Sequence, residues 1–117
     1  APRIAEEVAK TAGLREKVTV VTFDLDEAAV PMLEKGMIDV SVCQNPYEMG
    51  YQGVKLLTAL IKGDKATVDK MLPNGSTSID TGVRVIVPSK ASPVKGENVI
   101  DIQEMKSWLA SKGLKSS

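Results

Sequence analysis

The sequence predicts an α/β fold, a parallel sheet with flanking helices, and three observations carry that expectation. Val18 to Phe23 is a nearly continuous β-branched run, which suits a parallel strand buried on both faces. A second strand pattern follows at Ile38 to Cys43. Helical patterns stand before, between and after the two, each stopped by a glycine, at Gly13, Gly36 and Gly63. Two short-loop βα units in succession imply parallel strands joined by right-handed crossovers.

The first helix is expected from about Pro2 to Ala12. Proline is pre-set for the first helical position. Ile4, Ala5, Val8, Ala9 and Ala12 make a narrow apolar stripe at helical spacing. The first strand ends at Asp24. A helix is expected from about Asp26 to Lys35, with Pro31 near its first turn. In the second strand Ile38, Val40 and Val42 alternate with Asp39, Ser41 and Cys43, so one face is expected to be less buried. Gln44-Asn45-Pro46 closes it. A long helix follows over about Tyr47 to Lys62. Met49, Val54, Leu57 and Ile61 lie along its expected inner face, with Leu56 and Leu60 beside them.

Beyond Gly63 the register changes. The stretch from Asp64 to Ser76 is polar and carries Pro73-Asn74-Gly75, a loop signal. Ile79 to Val87 is extended and bent at Gly82. Pro88 to Asn98 is a surface connection rich in Ser, Pro, Gly and Lys. Asp101-Ile102-Gln103-Glu104 is a capping-box candidate opening the last helix. Ile102, Met105, Trp108 and Leu109 form that helix's apolar face, so Trp108 is expected in the core. Gly113 ends it, and a frayed tail is expected over 115–117.

Composition bounds the chemistry. Of 117 residues, 43% are hydrophobic, enough for a core. Lys plus Arg (15) equals Asp plus Glu (15), and this balance argues against a nucleic-acid partner, which calls for surplus positive charge. No apolar stretch reaches membrane-span length. With no histidine and one cysteine, Cys43, the chain has no internal disulfide, no His-based zinc site and no Ser-His-Asp triad. Cys43 is expected to be a buried, unreactive thiol. The opening Ala1-Pro2-Arg3-Ile4 enters a helix pattern at once, which reads as the middle of a longer chain.

Two residues stand where open parallel sheets bind ligands, at the carboxyl ends of strands. Asp24 caps the first strand and Gln44 the second. A carboxylate accepts hydrogen bonds, and an amide both donates and accepts. Such a pair suits a polyhydroxylated ligand. Plainer roles compete. Asp24 fits the N-cap of the next helix, and Gln44 fits a cap for the helix near Tyr47 or a solvent-facing position. Asp24 and Asp26 form an acidic pair capable of acid–base work, yet two acids at a helix start also complement its dipole. Gly50-Tyr51-Gln52-Gly53 lies inside a helix and is too short for a dinucleotide fingerprint. No catalytic, cofactor or metal constellation emerges. Tyr47 and Tyr51, four apart on one helical face, read as packing residues.

These residues resemble a known family. Val20-Val21-Thr22-Phe23-Asp24, Glu34-Lys35-Gly36-Met37-Ile38 and Val42-Cys43-Gln44-Asn45-Pro46-Tyr47-Glu48-Met49-Gly50-Tyr51 look like the carboxyl-terminal part of type I periplasmic sugar-binding proteins. That group includes ribose-binding receptors and shares its fold with the effector domains of lactose-repressor-type regulators. Ile79-Asp80-Thr81-Gly82-Val83 resembles the family's final hinge region. The likeness runs from the first helix to about Val87. It implies an incomplete carboxyl-terminal lobe over residues 1–76, then a hinge-crossing strand, polar loop and terminal helix over 77–117.

The resemblance further implies that Asp24 and Gln44 hydrogen-bond sugar hydroxyls. It implies a non-enzymatic, periplasmic, sugar-binding component of an ABC importer, whose partners are a small sugar and the importer's membrane subunits. Thr22 and Leu25 depart from ribose receptors, in which a glycine is usual at the first place and often follows the Asp at the second. The family has two lobes, and the resemblance places the stacking aromatics and the Arg and Asn contacts in the first lobe and the opening strands of the second, outside the stretch matched here. This chain alone is therefore expected to bind sugar poorly or not at all, and to self-associate through unpaired strand edges and apolar surface. Two rival readings remain at this level. One is the effector-binding domain of a repressor-type regulator, which a helix-turn-helix in place of a signal peptide would mark. The other is a flavodoxin-like enzyme, which lacks the phosphate loop it would need.

Overall fold

The computed structural model describes residues 2–113. Its elements in order are α1 (Pro2–Lys10), a 3-10 turn (Arg15–Lys17), β1 (Val21–Phe23), α2 (Val30–Glu34), β2 (Val40–Gln44), α3 (Pro46–Lys62), α4 (Lys65–Met71), a second 3-10 turn (Pro73–Gly75), β3 (Val83–Val87), β4 (Val99–Asp101) and α5 (Ile102–Ser111). The four strands form one sheet in the order β1-β2-β3-β4. β1 pairs parallel to β2, and β3 pairs parallel to β4. The fold is thus α/β with helices flanking a largely parallel sheet, as the alternating patterns implied.

The chain divides into two compact units. The first comprises residues 1–43 and 83–117, and the second residues 44–82.

In the first unit the core gathers Ala5 of α1, Ala29, Val30 and Leu33 around α2, Ile38 and Cys43 of the β2 region, Ile86 of β3 and Ile102 of α5. α2 runs little more than one turn and has no side-chain N-cap at Ala29, so packing rather than local propensity holds it. Its start is later than the expected Asp26 because Asp26 Oδ1 accepts from the Ala29 amide (2.7 Å), which closes a turn ahead of the helix. Pro31 falls in the first turn as expected.

The first strand is shorter than the β-branched run suggested. At Val20 the carbonyl still accepts from the Asp39 amide (2.9 Å), but the amide turns to the Asp39 side chain, whose Oδ2 accepts from it (2.7 Å). Arg15 completes this clasp. Its guanidinium donates to the Val18 and Gly36 carbonyls and pairs with Asp39 Oδ1 at 2.7 Å. β1 lies at the sheet's edge, and only Thr22 in it is buried, with Val21 and Phe23 exposed. The expectation of burial on both faces fails for β1 because an edge position gives its apolar residues less cover.

β2 departs in the opposite sense. It is an interior strand, so Ser41, expected on the less covered face, is fully buried, and Cys43 is buried, as a lone thiol was expected to be. β4 (Val99–Asp101), only three residues long, falls between the connection expected to end at Asn98 and the helix expected from about Asp101, where no strand was expected. Its pairing with β3 sets Val99 opposite Val85 and Asp101 opposite Val87. The capping box is present as expected. Asp101 accepts from the Gln103 and Glu104 amides (both 2.9 Å), and the Glu104 carboxylate accepts from the Asp101 amide. Such a cap contributes about 1 kcal/mol. Trp108 is half-buried rather than central, and the Arg84 guanidinium lies 4.5 Å from its ring centroid. The tail over 115–117 lies outside the described residues.

α5 is tied to α2 by Lys106, whose ammonium hydrogen bonds the Glu34 carboxylate. That contact lowers Glu34 below the usual carboxylate range, with Gln103 adding a weaker hydrogen bond. A depressed carboxylate stabilises the fold above its ordinary titration range, and the contribution is lost as pH falls through the lowered folded value. Glu34→Gln is therefore expected to flatten the acid limb of a stability-versus-pH curve while leaving its alkaline limb in place. Denaturation midpoints measured from pH 7 down to pH 3 check this.

In the second unit, α3 is capped by Asn45, whose side chain accepts from the Glu48 amide (3.1 Å). It ends at Gly63, which takes the left-handed conformation at φ 66° that glycine tolerates best. Only Ala59 of α3 is buried. Met49, Val54, Leu57, Leu60 and Ile61 are exposed, as are Tyr47 and Tyr51. The expected inner face of this helix is therefore largely open, and the tyrosines are not core residues. α4 was expected to be loop. Asp64 nucleates it by accepting from the Thr67 amide (3.0 Å) and hydroxyl (2.7 Å).

Candidate functional site

The two sequence-derived candidates sit at strand ends. Asp24 directly follows β1, and Gln44 is the last residue of β2. The parallel register matches Val21 to Val40, Thr22 to Ser41 and Phe23 to Val42, so both strands present their carboxyl ends at the same edge of the sheet. Neither residue serves as the N-cap that sequence alone allowed. α2 is preceded by Ala29, and Asn45 caps α3. Asp24 and Gln44 are both solvent-exposed.

Asp24 has an unusual backbone. Its φ is 59°, in the left-handed region that costs an L-residue about 1–2 kcal/mol. Two hydrogen bonds grip it there. The Asp24 amide donates to the Val42 carbonyl (2.8 Å), and the Asp24 carbonyl accepts from the Ser41 hydroxyl (2.8 Å). Leu25, one of the two departures from the ribose-receptor pattern, packs against the core and anchors the far side of the turn. Thr22, the other departure, is buried, and its hydroxyl has no hydrogen-bond partner.

Ser41 is the residue that sequence reasoning missed. Period-two alternation placed it with Asp39 on a strand face that looked polar. The signal that could have found it is its register opposite Thr22, one residue before the strand end, which puts a hydroxyl beneath the turn at Asp24. Beside it, the Cys43 sulfur lies 3.7 Å from Ser41 Oγ. A serine hydroxyl has one proton, and the Asp24 carbonyl can only accept, so the thiol donates to Ser41.

Burial pushes the Cys43 thiol above its ordinary value, and the nearby Asp24 charge adds to this. A raised thiol stabilises the fold below its ordinary titration range, and that contribution is lost as pH rises through the folded value. Native protein at pH 8 is expected to be inert to a thiol-titrating disulfide reagent, and to react with one equivalent in denaturant. Rapid native labelling would contradict the burial seen here.

Among the described residues, no group of three or more Cys, Asp or Glu side chains is placed to hold a metal ion. None of the described helices is long and apolar enough to cross a membrane.

No curated protein matches the chain. The family model described as periplasmic binding protein domain matches residues 1–65, a span that holds β1, β2, α3 and both candidate residues. That span is more than half of the 117 residues, and with it the chain belongs to the periplasmic binding protein domain family.

Proposed function

We propose that this chain forms part of the carboxyl-terminal lobe of a sugar-binding receptor that serves an ABC importer. Asp24 and Gln44 are the residues that hydrogen-bond the sugar hydroxyls. The observation that supports this most is the parallel β1–β2 register, because parallel sheets take ligands at the carboxyl ends of their strands. Asp24 supplies a charged acceptor, and charge-assisted hydrogen bonds are the stronger kind. Gln44 supplies one acceptor and two donors, which suits hydroxyls that both give and take protons.

In this reading the protein recognises and delivers its ligand without making or breaking a bond, in the periplasm. Residues 77–117 carry the hinge crossing, a polar loop and the terminal helix. The importer's membrane subunits receive the loaded protein.

Calorimetric titration of the complete gene product with a panel of pentoses and hexoses tests the reading. One sugar is expected to bind with a measurable heat. Silence across the panel overturns it, and specific DNA binding would point instead to a regulator.

A further inference from the structure

We propose that Ser41 is a positioning residue, whose buried hydroxyl holds Asp24 in the left-handed backbone conformation that sets the direction of the Asp24 carboxylate. The inference rests on the reading of Asp24 as a sugar contact and goes beyond it by assigning what aims that contact.

A left-handed φ of 59° places the Cβ, and with it the carboxylate, on a different bearing from an extended or helical backbone. Asp tolerates this region better than most residues but does not prefer it. Something must hold it there. The Asp24 amide bond to Val42 fixes the incoming side of the residue, as a continuation of the strand ladder. The outgoing side is fixed by Ser41, through the carbonyl that begins the Asp24–Leu25 peptide.

Ser41 is well suited to this task. It is fully buried on an interior strand, so its rotamer is set by packing. Its single proton goes to Asp24, and the Cys43 thiol donates into its oxygen. The result is a directed chain, from thiol to hydroxyl to carbonyl, that ends at the backbone of the candidate ligand residue. Alanine at position 41 would leave the Asp24 carbonyl without this donor, and valine or threonine would crowd a fully occluded site.

The test couples backbone geometry to stability. In wild type, a strong intraresidue amide-to-Hα nuclear Overhauser effect at Asp24 is expected, the mark of a positive φ. Ser41→Ala is expected to weaken it. The same change is expected to shift the unfolding equilibrium roughly tenfold, the size of one net hydrogen bond. Glycine adopts this φ unaided, so in an Asp24→Gly background Ser41→Ala is expected to shift the equilibrium far less. That background also keeps the comparison readable where Ser41→Ala alone is poorly folded.

In the complete gene product, Ser41→Ala is expected to weaken sugar binding about tenfold. An unchanged Overhauser effect, or an equal stability loss in both backgrounds, overturns the positioning role. A wild-type protein that binds no sugar overturns the receptor reading instead, and the backbone measurements then still decide what Ser41 does.

Discussion

Leu33→Ala is expected to lower the free energy of unfolding by about 2–5 kcal/mol. Leu33 is fully buried and belongs to the central cluster with Val30, Ile38, Ile86 and Ile102. It sits on α2, a five-residue helix with no side-chain cap, which is too short to persist by itself. Truncating Leu33 opens a cavity and removes the contact that docks this helix. Domains of this size are stable by only about 5–15 kcal/mol, so the loss is a large share of the total. Ile61→Ala provides the contrast. Ile61 is 78% exposed on α3, and its truncation is expected to change stability by no more than about 0.5 kcal/mol. Urea denaturation of both variants checks the pair. A Leu33→Ala midpoint close to wild type would mean that the core is not where the packing puts it.

The second large effect is on ligand affinity. Asp24→Ala is expected to weaken sugar binding by roughly tenfold to a hundredfold, since a hydrogen bond to a charged group contributes about 1.5–3 kcal/mol. Asp24→Asn keeps an oxygen acceptor and tolerates the left-handed backbone, so its loss is expected to be smaller. Gln44→Ala removes neutral hydrogen bonds and is expected to fall below Asp24→Ala in effect. Calorimetry of the complete gene product ranks the three. Equal affinities throughout would remove both residues from the site.

Much of the fold was legible because its strongest signals are local. The β-branched run before Asp24, the glycine after each of the first three helices and the Asp101–Glu104 box each encode an element or its end within a few residues. What was not legible depends on partners distant in sequence. β4 is three residues long, and only its pairing with Val85, Ile86 and Val87 makes it a strand. α4 hides in a polar stretch beside Pro73-Asn74-Gly75, although Asp64 and Thr67 carried its cap signal. The alternation through β2 was real, but alternation cannot say whether a strand lies inside a sheet, so Ser41 was assigned too much exposure. α3 shows the converse, since its apolar positions lie at helical spacing and yet stay largely exposed.

At the candidate site, the positions were legible and the geometry was not. Asp24 and Gln44 could be placed at strand ends from the strand and turn signals alone. The left-handed turn at Asp24 could not, because it arises from the register of β1 against β2 and from a hydroxyl seventeen residues away in sequence. The two departures from the resemblance also have physical outcomes. Leu25 became a core anchor, and Thr22 buried a hydroxyl that no partner satisfies.

The most direct measurement is a crystal structure of the complete gene product with its best-binding sugar. The Asp24 carboxylate and the Gln44 amide are each expected within about 2.5–3.2 Å of sugar hydroxyls, with Asp24 still at positive φ. A sugar bound elsewhere, with neither side chain in hydrogen-bond reach, would contradict the account.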